Sequence, residues 1–228
     1  QLTELGPFEA AFERLADLVR DLRGQGYAMR RLDLGGGLGI QYANETPPSP
    51  AAYGAMVKRV TKDLDCELIL EPGRMIVGNA GVLVSRVVYI KESAGRRFVI
   101  VDTAMNDLPR PALYGAYHDI EPVAAPAADA VIAPADVVGP ICESGDTFAL
   151  ERPLPPVSAG DLIAFRTAGA YGAIMASSYN MRPLVPEVLV SGERFAVIRR
   201  RPDYDEMVSL EVLPDWLSNA PARGRGVA

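Results

Sequence analysis

The chain has 228 residues, 49% apolar and 23% charged, an ordinary globular balance for one large or two small domains. No apolar run approaches the ~18 residues that a membrane span needs, and 23 Lys and Arg against 29 Asp and Glu leave a net charge of −6. An acidic surface without basic blocks argues against nucleic acid or an anionic membrane as partner, and two cysteines with one histidine are too few for a zinc site or a disulfide framework. A reduced, cytoplasmic compartment is the default that follows. The chain opens on Gln1 with no signal-peptide pattern, and it reads as a piece of something longer.

Pro7 to Arg23 is expected to be an amphipathic helix, because Phe8, Ala11, Phe12, Leu15, Leu18, Val19 and Leu22 share one face and Pro7 suits a first turn. Ala28 to Leu34 follows as a short strand and leads into a glycine cluster. Ser49-Pro50 starts a second helix, whose stripe of Tyr53, Met56, Val57, Val60 and Leu64 runs to Asp65. Cys66 to Leu70 is a compact apolar strand closed by Glu71-Pro72-Gly73. Helix and strand alternating through short linkers is the grammar of parallel strands with crossover helices.

After Gly78 the pattern becomes one of short β runs: 82–90, 97–101, 135–138, 147–150, 162–165, 187–190 and 194–198. Their Gly, Pro, Asp and Ser punctuation predicts an antiparallel sandwich or barrel. The reading is therefore two domains, 1–78 and 79–228. Residues 122–134 form a loop, Asp205 to Leu217 a closing helix, and Asn219 to Ala228 a frayed tail.

Five strings could carry chemistry. Leu34-Gly35-Gly36-Gly37-Leu38-Gly39 follows a strand and could let backbone N–H groups approach an anion, although it is neither a dinucleotide fingerprint nor a P-loop. Glu71-Pro72-Gly73-Arg74 follows the next strand and presents an acid and a base on a fixed corner. Two such motifs in consecutive strand–loop–helix units stand where α/β proteins place ligand groups. Gly139-Pro-Ile-Cys142-Glu143-Ser-Gly-Asp146 sets a thiol beside carboxylates in a polar loop. Gly169-Ala-Tyr171-Gly172, running on to Ser177-Ser-Tyr-Asn180, surrounds a tyrosine with small residues. Arg110 and Tyr114 lie in Asp107-Leu-Pro-Arg-Pro-Ala-Leu-Tyr114, where Arg is the natural fork for a carboxylate. His118, four residues further on, reads as structural.

In order and spacing these strings resemble the diaminopimelate decarboxylases, pyridoxal-phosphate (PLP) enzymes of the alanine racemase-like fold group. The likeness extends to about Leu217. The glycine loop and Glu-Pro-Gly-Arg are shared with ornithine and arginine decarboxylases. The Cys-Glu-Ser-Gly-Asp, Arg-Pro-Ala-Leu-Tyr and Ser-Ser-Tyr-Asn strings point to the diaminopimelate branch.

The resemblance implies a PLP-binding (β/α)8 barrel, of which residues 1–78 are the last units, followed by a β-sandwich-like domain. It also implies that Gly36, Gly37, Gly73 and Arg74 meet the cofactor phosphate region, with Tyr171 closing over it. Glu71 would bond the pyridinium nitrogen and keep it protonated. Arg74, Arg110, Tyr114, Glu143 and Tyr171 would hold the amino-acid substrate. Cys142 would be the proton donor, reaching the site from the partner subunit of a homodimer. The expected reaction is decarboxylation of meso-diaminopimelate to L-lysine. The family's cofactor-linking lysine matches none of Lys58, Lys62 and Lys91, so the chain alone is expected to be inactive. A sister decarboxylase for another or a carrier-bound amino acid, and a non-catalytic regulatory homologue, are the competing readings.

Overall fold

The computed structural model describes residues 1–218; the tail expected to fray over 219–228 lies outside them. Helix α1, Gly6–Gly24, has Pro7 in its first turn and buries Phe8, Phe12, Ala16 and Val19, one face at helical spacing. Strand β1 is only Arg31–Asp33, shorter than the apolar run suggests. Helix α2, Pro50–Thr61, begins where Ser49 Oγ accepts the Ala52 N–H at 3.1 Å, and it buries Tyr53, Met56, Val57 and Val60.

Strand β2, Glu67–Ile69, lies parallel to β1, with Leu32 opposite Leu68. The two helices pack through an aromatic knot. The Phe8 and Tyr53 rings meet edge to face at 5.2 Å, and Phe12 meets Tyr53 at 6.1 Å. With Leu32, Leu34, Leu38 and Leu64 they make one apolar core. Because β1 and β2 run in the same direction, the loops leaving them emerge at the same end. Helix α3, Gly73–Val77, and a single tight turn over Gly78–Ala80 then lead into the β region.

There, β3 (Leu83–Ser93), β4 (Arg96–Val101), β5 (Ile120–Pro122), β6 (Ala133–Val138), β7 (Thr147–Leu154) and β8 (Leu162–Phe165) form one six-stranded sheet. Its order is β5-β8-β3-β4-β6-β7. Val87, Val99, Val101, Val137, Ile163 and Phe165 make its core and are fully buried.

The sheet is mixed rather than purely antiparallel, because β4 and β6 are parallel. Residues 102–132 separate them, long enough for the crossover that a parallel pair needs, and they hold the short helix α4, Arg110–Tyr114. Strand β5 escapes sequence reading because it is three residues long and ends in proline.

The chain forms two compact units, Gln1–Ala176 and the remainder from Ser177. The second contains the antiparallel hairpin of β9 (Glu187–Ser191) and β10 (Arg194–Arg199). The closing helix expected over 205–217 is instead two short helices, α5 (Tyr204–Val208) and α6 (Asp215–Ser218). Pro214 lies between them, lacks an N–H, and biases the residue before it away from helix. No described helix is long and apolar enough to cross a membrane.

Candidate active site

The glycine turn and the Glu-Pro-Gly-Arg corner are built against each other. Leu34 N–H donates to Ile69 O at 3.0 Å, and Glu71 N–H donates to Gly35 O at 2.9 Å, so the β1–β2 pairing continues into both loops. A Cβ on Gly36 would lie 2.4 Å from Glu71 O, so only glycine permits this approach. Gly37 follows, its carbonyl accepting the Leu2 N–H at 2.8 Å. Gly73 opens α3 with its N–H on Glu71 O at 2.8 Å. The Glu71 side chain is exposed and takes no ion-pair partner among the described residues.

Arg74 is half-buried on α3. Its Nη1 donates to the Tyr42 hydroxyl at 2.5 Å, and its guanidinium carbon stands 4.8 Å from the centre of the Tyr171 ring. Tyr171 gets there because two backbone segments touch. Ala168 N–H donates to Gly81 O at 2.8 Å and Gly169 N–H to Gly78 O at 3.1 Å. A Cβ on Gly169 would come within 1.9 Å of Val77 O. Tyr171 itself has φ +60°, a left-handed backbone that a bulky residue seldom adopts and that suits a site held in place by its surroundings.

Arg110 arrives by a different route. The loop before α4 is folded around Asp107, whose Oδ2 accepts from Thr103 Oγ1 at 3.2 Å and Ala104 N at 2.9 Å. The Arg110 guanidinium carbon lies 4.9 Å from the Tyr42 ring centre, and its Nη1 is 2.9 Å from His118 Nε2. Tyr42 is thus the shared neighbour of both arginines, with the His118 ring at its edge, 5.5 Å between centres. Tyr114, at the end of α4, is exposed.

The Cys142 loop joins β6 to β7. Buried Asp146 accepts the Met105 N–H on Oδ1 and the Ile141 N–H on Oδ2, both at 2.7 Å, tying this loop to the segment that leads to Arg110. Cys142 is a free, exposed thiol, and Glu143 beside it is exposed.

Gly36, Gly37, Glu71, Gly73, Arg74 and Tyr171 therefore form one connected group, and Tyr42 joins Arg110 to it. Among the described residues no hydrogen bond or ion pair brings Cys142, Glu143 or Tyr114 to this group. Tyr42 is the member that sequence reasoning missed. It stands three residues past the glycine turn with no motif around it, and nothing local shows that it faces two arginines from other elements.

Chemically the group offers two oriented guanidiniums, aromatic walls and one uncommitted carboxylate. That set suits an anionic ligand with a polar ring or amine.

Comparison with known proteins agrees with this. A family profile described as the pyridoxal-dependent decarboxylase, C-terminal sheet domain matches residues 18–169. The chain is 53% identical to the diaminopimelate decarboxylase of Zymomonas mobilis over 95% of its own length and 51% of that protein. It is 49% identical to that of Pseudomonas aeruginosa over 93% and 51%. The diaminopimelate decarboxylase structure from M. jannaschii with L-lysine superposes with a TM-score of 0.89 at 35% identity, covering 95% of this chain and 51% of that one. The Helicobacter pylori enzyme with L-lysine gives 0.85 at 40%, covering 92% and 52%. The chain spans about half the length of the curated relatives it matches.

Proposed function

Because the chain belongs to the pyridoxal-dependent decarboxylase family, we propose that it forms the C-terminal half of an enzyme that decarboxylates meso-diaminopimelate to L-lysine. The observation that carries the reading is the pressing of the glycine turn onto Glu71 beside Arg74, at the shared end of two parallel strands. Residues 1–78 would be the last units of the (β/α)8 barrel and 79–228 the β domain of a cytoplasmic homodimer. Barrels commonly hold phosphate at this end.

The residues present fit PLP. Gly36 lets its turn close onto the Glu71 carbonyl, which sets the two loops side by side, Arg74 supplies a fixed cation, and Glu71 has a carboxylate to spare for a ring N–H. PLP, when bound, supplies an electron sink for the bond pair left as CO2 departs. Gly36, Gly37, Gly73 and Arg74 would hold its phosphate region, Glu71 would keep a proton on its ring nitrogen, and Tyr171 would cover it. Arg74, Arg110, Tyr114, Glu143 and Tyr171 would orient the substrate, and Cys142 would return a proton to its α-carbon from the partner subunit. The exposure of Cys142 and Glu143 within one chain suits groups offered to a second copy.

The cofactor-linking lysine would come from the half of the relatives' length that this chain does not span. Lys58 and Lys62, at and just past the end of α2, and Lys91 in β3 are all exposed, and none stands in either loop. Residues 1–228 given PLP should therefore yield no borohydride-fixed adduct that supports turnover. The same chain within the complete enzyme should decarboxylate meso-diaminopimelate in preference to lysine, ornithine and arginine. Equal turnover of ornithine would refute the substrate assignment. Cys142→Ala in the complete enzyme should lower kcat by about 10²–10⁴-fold, the range of a lost general acid, with PLP absorbance retained. Mixing it with a variant lacking the cofactor lysine should restore one site per heterodimer, and no recovery despite subunit exchange would place the thiol's action within its own chain.

A further inference from the structure

Arg110 is the best-buried arginine of the site, 8% exposed, and one of its neighbours is the chain's single histidine, 1% exposed. His118 Nδ1 lies 2.9 Å from the Arg166 carbonyl oxygen, which can only accept, so Nδ1 carries the hydrogen. His118 Nε2 lies 2.9 Å from Arg110 Nη1, which can only donate, so Nε2 presents its lone pair. Both contacts are satisfied by one species alone, the neutral ring with its hydrogen on Nδ1.

We propose that His118 is the positioning residue of the substrate-carboxylate site: as a neutral acceptor it fixes the Arg110 guanidinium against Tyr42, and its protonation releases it. This rests on the reading above that Arg110 helps to hold the substrate, and takes the carboxylate remote from the reacting centre as the group it holds. One of five N–H donors is spent on His118, so the fork keeps donors for a two-pronged contact while losing its freedom to rotate.

The surroundings keep the ring neutral. Burial pushes its pKa below the usual value of 6.5, against the Arg166 carbonyl bond, which raises it; the charges of Arg110, Arg152 and Arg74 add to the lowering. These groups come from α4, β7, α3 and the residue after β8. Arg152 Nη1 also donates to His118 O at 2.9 Å. The neighbouring Asp119 carboxylate is engaged elsewhere, with the Tyr117 hydroxyl, the Ile120 N–H and, at 3.9 Å, Arg152. A proton on Nε2 would face the Arg110 cation with no acceptor left between them.

The test compares two inhibitors of the complete holoenzyme: L-lysine, which keeps a carboxylate, and 1,5-diaminopentane, which has none. In the unmodified enzyme, lowering the pH through and below 6.5 should weaken inhibition by lysine and leave that by diaminopentane comparatively flat. His118→Leu keeps an apolar bulk and removes both contacts. It should raise the KM for diaminopimelate and the Ki for lysine by about 10- to 100-fold, the loss of a hydrogen bond to a charged group, with a smaller change in kcat. His118→Gln, which can still offer an oxygen near Nε2, should recover part of the affinity and lose the pH dependence.

A His118→Leu enzyme with unchanged lysine inhibition and a normal PLP spectrum would overturn the proposal. So would parallel losses for both inhibitors, the mark of general damage. Should neither variant fold, a flat pH response of lysine inhibition in the unmodified enzyme would refute it, and a selective response would support it. If Arg110→Ala itself leaves lysine inhibition intact, the Arg110 reading has failed. If Arg110→Ala weakens it and the His118 variants do not, only the positioning role has failed.

Discussion

Replacing Arg110 with alanine in the complete enzyme should cripple turnover of diaminopimelate while PLP binding and assembly survive. Diaminopimelate carries a second amino-acid head, so a site that selects it needs a fixed cation for the far carboxylate and an anion for the far amine. Arg110 meets the first need structurally: it is buried, flanked by the Tyr42 ring and held by His118. Removing one partner of a desolvated charge-assisted pair costs ~2–5 kcal/mol, roughly 30- to several-thousand-fold in kcat/KM. Arg110→Lys should restore little, because an ammonium cannot reproduce the fork and cannot face Tyr42 while also reaching His118 Nε2. Steady-state kinetics on both variants, with PLP absorbance as the folding control, decides the matter. Near-normal kcat/KM in Arg110→Ala would place the far carboxylate elsewhere and remove the main physical support for the substrate assignment.

Gly169→Ala should cost both stability and cofactor affinity. The added methyl would lie 1.9 Å from Val77 O and 2.9 Å from Gly81 N, backbone atoms that no rotamer change can move aside. Overpacking of this kind costs ~1–3 kcal/mol, occasionally more. The strain falls on the seam that brings Tyr171 over Arg74. Losing that cation–π contact and the ring cover, worth ~1.5 kcal/mol, would weaken PLP binding by roughly tenfold. Gly54→Ala is the control. Gly54 lies within α2 with nothing within 4 Å of its missing Cβ, so alanine there should be neutral or stabilise by ~0.5–1 kcal/mol. Thermal melting and PLP titration read both variants. Equal behaviour of the two would mean that the seam yields without cost.

The contrast between these glycines shows where local sequence reading stops. Gly54 and Gly169 look alike in the chain. Small residues around Tyr171 hint at a close approach, and the hint is sound, but the atom approached, Val77 O, is 92 residues earlier. The same holds for strand direction. Short β runs and turn signals mark β3, β4, β6, β7 and β8 well. Nothing in β4 or β6 says that they run parallel, because that is set by the path of the crossover between them.

What the sequence determined by itself is what depends on neighbours along the chain. The buried face of α2 follows from helical periodicity and that of α1 in part, since Phe8, Phe12 and Val19 are buried while Ala11 and Leu18 are exposed and Ala16 takes the inner position. The start of α2 follows from Ser49, and the two signature loops from strands that end in Gly-rich and Pro-Gly turns. The motif strings likewise sufficed for the family, since order and spacing are linear properties. Tertiary structure alone decided the company each residue keeps. Tyr42 became the common neighbour of Arg74 and Arg110, and a histidine with no motif around it became an acceptor for a buried guanidinium. The two Tyr42 contacts join residues 32 and 68 positions apart, and that of His118 with Arg110, only eight apart, turns on a burial that local sequence does not encode. A hydrogen bond is specified by where two atoms end up, and only the packed sheet and helices bring these atoms within reach.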